Sequence, residues 1–221
     1  MIVRVLVGGL ITVMAFILLY RFVPVPGTTL MALRSFQGEE LSYTWAPLNR
    51  ISDNLVLAAI AAEDVKFCQH KGFDLGEIKA AYEDYKAGKG LRGASTISQQ
   101  TAKNAFLWPG RGPVRKVVEA GFTLPMEVTY SKRRIMEVYL NVAEWGDGLF
   151  GAEAAAQARF GKSAKDLTRR EAALLAAVLP SPNRWRVDPP GPYVRSRTRT
   201  LLARMRSVEV NGLATCVLER D

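Results

Sequence analysis

Residues 5–20, between Arg4 and Arg21, carry no charged side chain. A run this apolar has to satisfy its backbone polar groups internally, so it is constrained to a helix that lies against protein or lipid. A membrane span needs about 20 apolar residues, and the apolar segment 22–25 extends the run after Arg21. No small-x-small cleavage site follows closely, and Tyr20 to Phe22 is typical of an interfacial anchor. We therefore predict an uncleaved membrane anchor over residues 1–25; a cleaved secretory signal and a buried core helix are the alternatives.

Helix signals dominate the rest of the chain. Thr96 with Gln99 and Thr168 with Glu171 have the form of capping boxes, in which the two residues satisfy each other's backbone N–H groups. Ser52 or Asp53, Thr96, Ser131 and Thr168 are predicted to start helices, and the predicted helical ranges include 52–63, 75–86, 114–130, 131–141, 151–160, 168–179 and 194–208. Only residues 41–45 alternate as an extended piece would. The prediction is a mainly α domain over residues 51–221, joined to the anchor by a connector over residues 26–50.

Charge and cysteine content limit the partners and the compartment. The formal charge of +9 favours an anionic partner, which could be nucleic acid, membrane headgroups or a phosphorylated substrate. Cys68 and Cys216 are too few for a disulfide framework, and their spacing matches no metal site. One bridge between them is the less common outcome, so we expect two small buried hydrophobic side chains.

A carboxylate pair, Glu63-Asp64, ends an apolar run of small residues. Tight packing can hold such a side chain still and partly dry, which tunes a carboxylate as a general base. The alternative is that the pair has no catalytic role and lies at a solvated helix end. His70, which has no serine or cysteine motif around it, is predicted to be a structural hydrogen-bonding group beside a turn at Gly72.

Polar and cationic residues follow in the next segment of the chain. Hydroxyl and amide side chains suited to a hydroxyl-rich or phosphorylated ligand stand at Ser95, Thr96, Gln99 and Gln100. The cations Lys103, Arg111, Arg115 and Lys116 could bind a pyrophosphate, although a solvated basic face is the alternative. Glu119 could orient Arg115 as an i, i+4 pair, hold a divalent ion or act as an acid.

Five ordered motifs carry a family resemblance. They are Glu63-Asp-x-x-Phe67-x-x-His70-x-Gly72-x-Asp74, then Gly93-Ala-Ser-Thr-Ile-Ser-Gln-Gln-x-x-Lys103-Asn104, then Arg115-Lys-x-x-Glu119, then Ser131-Lys132-x-x-Ile135-x-Glu137-x-Tyr139-Leu-Asn141, and a last set from Gly151-x-x-x-Ala155 through Phe160-Gly161 and Glu171-Ala-Ala-Leu-Leu-Ala to Pro180-Ser-Pro-Asn183. In order and spacing they resemble the peptidoglycan glycosyltransferases of family 51, over about residues 45–190. Ala94 and Ser98 stand where glycine and threonine are frequent, and neither change removes a proposed functional group.

The resemblance implies a fold and a reaction. The implied fold is a lysozyme-like, mainly helical glycosyltransferase domain with a smaller membrane-proximal jaw region, which follows the one N-terminal transmembrane helix predicted from the apolar run. The reaction joins lipid II units in cell wall synthesis, by inverting transfer from undecaprenyl pyrophosphate to the 4-hydroxyl of the acceptor sugar. Glu63 matches the general base and Glu119 the second carboxylate. The positions matched to substrate binding are Ser95, Thr96, Gln99, Gln100, Lys103, Arg111 and Arg115.

Cofactor, partners and location follow from the same resemblance. It implies a divalent cation, Mg²⁺ or Mn²⁺, with no ligand set identified in the sequence. The implied partners are lipid II, the growing glycan strand and the membrane, with other cell wall synthesis or division proteins as candidates and no nucleic acid. The implied location is the bacterial inner membrane, single-pass, with the catalytic domain on the periplasmic side. A lysozyme-like glycan-cleaving enzyme and a membrane-anchored basic binding module are the rival interpretations.

Overall fold

The chain is mainly helical, as predicted. The computed structural model describes residues 2–90, 93–110 and 112–219. Within these ranges the helices are α1 Ile2–Tyr20, α2 Thr29–Phe36, α3 Asp53–Glu63, α4 Leu75–Lys86, α5 Ile97–Phe106, α6 Pro113–Thr129, α7 Lys132–Val142, α8 Ala152–Phe160, α9 Arg169–Val178, α10 Pro192–Val210 and α11 Thr215–Leu218. Short 3₁₀ turns cover Leu48–Arg50 and Ala164–Asp166.

A small sheet lies beside the helices. Its strands are β1 Ser42–Tyr43, β2 Glu144–Gly146 and β3 Leu149–Phe150, in the order β1-β3-β2. β3 pairs in parallel with β1 and antiparallel with β2. The turn between β2 and β3 confirms the turn predicted at residues 146–148, and β1 lies within the predicted extended piece.

The core is built around α3. Its residues from Leu55 to Ala61 are all buried, and it packs against α9 and α10. A helix that is apolar on every side has to be enclosed, and the alanines of α3 and α9 let the helices approach closely. The enclosed helix carries Glu63 at its last residue, so the rigid core positions this carboxylate.

The local capping chemistry explains where the central helices begin. Both predicted capping boxes are present, at Thr96 with Gln99 and at Thr168 with Glu171. The Ser131 hydroxyl caps α7 by accepting from the backbone N–H of Arg134 at 3.2 Å. These caps confirm the predicted starts of α5, α7 and α9.

Two short helices were not predicted. α2 lies in the segment predicted as a connector, and the Thr28 hydroxyl caps it by accepting from the Met31 N–H at 3.2 Å. α11 follows the last long helix. Met31 on this helix is buried, whereas Phe36 is 91% exposed.

The end of α1 is attached to the domain. The Tyr130 hydroxyl donates to the Ile17 carbonyl at 2.7 Å, and the Arg134 guanidinium donates to the Tyr20 carbonyl at 2.7 Å. Ile17 is fully buried by these contacts. Within the described ranges, no helix combines the length and the mean hydropathy that a membrane span requires. The transmembrane helix therefore stays a prediction.

A disulfide links Cys68 to Cys216, so the expectation of two unbridged cysteines is wrong. Cys68 lies in the turns that follow α3, and Cys216 lies in α11. The Arg133 guanidinium donates to the Val217 carbonyl and so holds α11 against α7. Because α11 was not predicted, the sequence offered no reason to bring the two cysteines together.

Reduction of this bridge is expected to destabilise the fold. The cysteines are 148 residues apart, and closing so long a loop restricts the unfolded chain strongly. We expect a reductant to lower the free energy of unfolding by about 2–5 kcal/mol, measured by denaturant titration. The paired Cys68→Ser, Cys216→Ser variant should match the reduced protein and not respond to reductant. Equal stability with and without reductant would contradict this prediction.

Candidate active site

Glu63 lies at the edge of a cleft where α3, α5 and α10 meet. Gln100 of α5 donates from Nε2 to Glu63 Oε2 at 2.8 Å. On the other side, Arg197 Nη2 of α10 lies 3.9 Å from Glu63 Oε1. The Glu63 side chain is 15% exposed. The carboxylate is thus held in one orientation and still reaches solvent, as a general base must.

The neighbouring carboxylate, Asp64, is fully engaged within the protein. Its Oδ2 accepts from the Ile97 backbone N–H at 3.0 Å and from His70 Nε2 at 2.9 Å. The Gly72 N–H donates to His70 Nδ1 at 3.2 Å, which matches a neutral imidazole with its proton on Nε2. His70 is therefore the structural group that was predicted. Of the carboxylate pair, Glu63 is the one left for chemistry.

Gly72 lets the loop that follows Glu63 turn back toward the start of α5. Its φ of +93° disfavours any side chain, and a Cβ there would lie 3.0 Å from Thr123 Cγ2 and 3.1 Å from Glu127 Cγ. The Thr96 hydroxyl donates to the Gly72 carbonyl at 2.6 Å. The loop after Glu63 is thereby bound to the start of α5 and packed against α6.

The cleft beside Glu63 has a volume of about 270 Å³. Hydroxyl, acidic and cationic side chains line it, among them Lys66, Asp74, Glu77, Ser95, Thr96 and Arg204. Gln99 was expected to line the same cleft, but it is 3% exposed and its Oε1 accepts from the Thr96 N–H at 3.1 Å. Its amide serves the capping box. Gln100 instead contacts Glu63 directly.

A second cavity of about 180 Å³ lies next to the predicted cations. Lys103 and Arg115 line it together with Trp108, and Arg111 lies outside the described residues. Burial lowers the pKa of the Lys103 ammonium, while the charge of Glu119 partly opposes the shift. Lysine and arginine around one cavity suit an anion with several oxygens.

Glu119 organises these cations. Its side chain is 3% exposed; Arg115 Nη1 donates to Oε2 at 3.2 Å, and Lys116 Nζ contacts Oε1. Lys116 Nζ also donates to Ser95 Oγ at 2.9 Å, which joins the cation cavity to the cleft. Among the roles that the sequence left open for Glu119, this geometry matches the orientation of Arg115.

The described residues form no divalent-ion site made by protein side chains alone. In the part of the chain that the structure describes, no three His, Cys, Asp or Glu side chains gather as such a site requires. Each oxygen of Glu119 contacts a cation, Arg115 or Lys116. The divalent cation implied by the resemblance stays a prediction, and we derive no step through it.

Comparison with known proteins places the chain in a family. The family model described as transglycosylase matches residues 29–206. The chain belongs to the transglycosylase family. This transglycosylase is 54% identical over 216 residues to the biosynthetic peptidoglycan transglycosylase of Rhodospirillum centenum, covering 97% of this chain and 94% of the relative. It is 52% identical over 201 residues to that of Caulobacter vibrioides, covering 91% and 88%. The enzyme is thus a glycosyltransferase, as predicted.

Sequence reasoning missed two residues of this transglycosylase's site. Arg197 faces Glu63 and Arg204 lines the cleft, and both lie on the predicted basic helix, α10. Their spacing of seven residues puts them on one helix face, and this was the available signal. The apolar residues Val194, Leu201 and Met205 follow at helical spacing, so the sequence indicated the buried face of this helix but not that it packs beside Glu63.

Proposed function

We propose that this transglycosylase polymerises glycan strands, by transferring the growing strand from undecaprenyl pyrophosphate to the 4-hydroxyl of an incoming lipid II unit. The arrangement of Glu63 carries the proposal. Its carboxylate is oriented by Gln100, opens to the cleft, and lies within electrostatic range of the half-buried Lys103. A base and a cation group on two sides of one site suit a displacement in which a hydroxyl attacks and a pyrophosphate leaves.

The proposed reaction is a single displacement. Glu63 takes the proton of the acceptor hydroxyl while its oxygen attacks the anomeric carbon from the face opposite the leaving group, which inverts α to β. Pyrophosphate is a weak base, so its departure needs charge neutralisation more than a proton. Lys103 and Arg115 supply this charge, and Glu119 keeps Arg115 in place. A glycosidase, which expels an alcohol, would need a carboxylic acid at this position instead.

The polar side chains of the cleft have separate parts in this proposal. Ser95 lines the space beside Glu63 and is placed to contact the sugar of the substrate, whereas Thr96 is 3% exposed and its hydroxyl is bound to the Gly72 carbonyl. Gln100 orients the base, and Gln99 supports the site by capping α5. Arg111 stays a predicted member of the cation group.

The location is also part of the proposal. We place α1 in the inner membrane as a single-pass anchor, with the domain on the periplasmic side and the predicted boundaries 1–25, 26–50 and 51–221. Exposed apolar side chains support it, at Val7, Ile11, Phe16, Leu18 and Leu19. The disulfide also supports it, because such bonds persist in oxidising compartments. Retention in membranes through an alkaline carbonate wash is expected; release of the chain into the wash would contradict the anchor.

Loss of the Lys103 charge is expected to produce the alkaline limb of the pH–rate profile, where the rate falls as the pH rises. This charge is present below the lowered pKa of Lys103 and is lost as the pH rises through that value, so the rate should fall at a lower pH than for an exposed lysine. Lys103→Arg should remove this limb, because a guanidinium does not titrate in the accessible range. The measurement is kcat/KM against pH for both proteins, with unfolding curves to limit the pH range. An identical limb in the arginine variant would contradict the assignment.

Incubation with labelled lipid II and with preformed glycan strands tests the proposed function. We expect longer, lysozyme-sensitive polymer from lipid II and no change in the strands. Intact lipid II together with shortened strands would favour the glycan-cleaving enzyme. Binding of lipid without either reaction would favour the basic binding module.

A further inference from the structure

Arg197 of α10 forms an ion pair with the proposed base, Glu63. We propose that Arg197 is a positioning residue for catalysis, which holds the Glu63 carboxylate so that Oε1 faces the acceptor hydroxyl and takes its proton. This inference rests on the proposed function, specifically on Glu63 as the general base.

The two oxygens of Glu63 have different surroundings. Oε2 accepts a hydrogen bond from Gln100 Nε2 at 2.8 Å. Oε1 lies 3.9 Å from Arg197 Nη2, which is beyond hydrogen-bonding distance but close enough for strong attraction between opposite charges. Arg197 therefore supplies positive charge without occupying a lone pair of Oε1. Oε1 is the oxygen left to accept the proton of the substrate hydroxyl.

The packing of α10 fixes the guanidinium in this position. Val194, Thr198 and Leu201 are buried where the helix packs against α3 and α9, and the Arg197 side chain is 25% exposed. Arg197 Nε is buried and has no hydrogen-bond partner among the described residues. The side chain is therefore not committed to another carboxylate of the protein.

The other ionisable groups near Glu63 do not replace Arg197. Lys103 of α5 is within electrostatic range, but its pKa is lowered by burial. Tyr139 of α7 is fully buried, and burial, followed by the charges of Glu63 and Asp64, raises its pKa well above the usual value. A guanidinium stays charged at every working pH, and of the two arginines that α10 brings to the cleft, Arg197 is the one paired with Glu63.

In the proposed transfer step, Glu63 accepts one proton and later releases it. The acceptor O–H bond breaks and an O–H bond forms at Glu63 Oε1, while the new glycosidic C–O bond forms and the C–O bond to pyrophosphate breaks. Glu63 then has to release its proton to solvent before the next cycle. Arg197 then holds the carboxylate in the same orientation for the next acceptor hydroxyl.

Steady-state kinetics of the full-length protein with lipid II test this inference. We expect Arg197→Gln to lower kcat by about 10- to 100-fold, with KM changed by less than about threefold. Arg197→Met, which keeps the packed stem, should show the same loss, and Arg197→Lys should keep kcat within about threefold of wild type. The matched control is Arg199→Gln, an exposed arginine on the other side of α10, which should behave as wild type. Thermal unfolding of each variant checks that the fold is kept.

A double variant distinguishes the role of Arg197 from the role of Glu63 as the general base. In the Glu63→Gln background, Arg197→Gln should cause no further loss of the residual rate, because Arg197 acts through Glu63. A wild-type rate in Glu63→Gln would overturn the base itself. Loss in Glu63→Gln with an unchanged kcat in Arg197→Gln would overturn only the role of Arg197. An equal loss from Arg197→Gln in both backgrounds would also overturn it, since the residue would then act independently of Glu63.

Discussion

Replacement of Glu63 by glutamine is expected to abolish glycan polymerisation while substrate binding is kept. The amide keeps the size of the side chain and a hydrogen-bond acceptor for Gln100, but it cannot take a proton. General base catalysis contributes about 100- to 10,000-fold, so kcat should fall by at least about 100-fold. Polymer formation from labelled lipid II and equilibrium binding of the same lipid are the two measurements.

The matched control for this change is Glu209→Gln. Glu209 is an exposed carboxylate of α10 whose surface pair with Arg169 is 2.8 Å long, and such pairs contribute little. It should polymerise as wild type does. An unchanged polymer yield from Glu63→Gln, with the fold intact, would refute the assignment of the base.

The second large effect is expected at Lys103. Lys103→Gln removes the half-buried cation that lines the cavity with Arg115, so the charge developing on the leaving pyrophosphate loses a fixed partner. Loss of one such group typically costs about 100- to 1,000-fold in kcat, and we expect a fall of that size. KM should change less, because the charge on the leaving oxygen develops mainly in the transition state.

Lys165→Gln is the control for the loss of a lysine charge. Lys165 is exposed in the 3₁₀ turn Ala164–Asp166, and its replacement should leave polymerisation unchanged. Rescue of Lys103→Gln by Lys103→Arg would support a role for the charge itself. A kcat within about twofold of wild type in Lys103→Gln would contradict the proposed leaving-group role.

Much of the fold was predictable because its signals are local. A capping box needs only two residues three positions apart, and Thr96 with Gln99 and Thr168 with Glu171 both behave as predicted. α11 has four residues and no side-chain cap, so tertiary packing forms it and the sequence gives no sign of it. The disulfide at Cys216 was missed for the same reason.

The site was predictable where each residue acts within its own motif. Glu63 and Gln100 were singled out in separate motifs, and the structure brings them into contact. The capping box predicted at Thr96 already assigned the Gln99 amide to the start of α5, and Gln100 is the amide that reaches Glu63. Arg197 was missed because its role depends on the packing of α10 against α3, a contact between distant parts of the chain.

The most direct test of the central claim is the configuration of the new glycosidic bond. Wild-type protein is incubated with lipid II, and the anomeric configuration of the polymer is determined by NMR and by lysozyme digestion. A single displacement promoted by Glu63 predicts β linkages throughout, formed from an α-linked donor. Polymer with retained α linkages would contradict the single displacement, and so would the absence of polymer from a folded, lipid-binding protein.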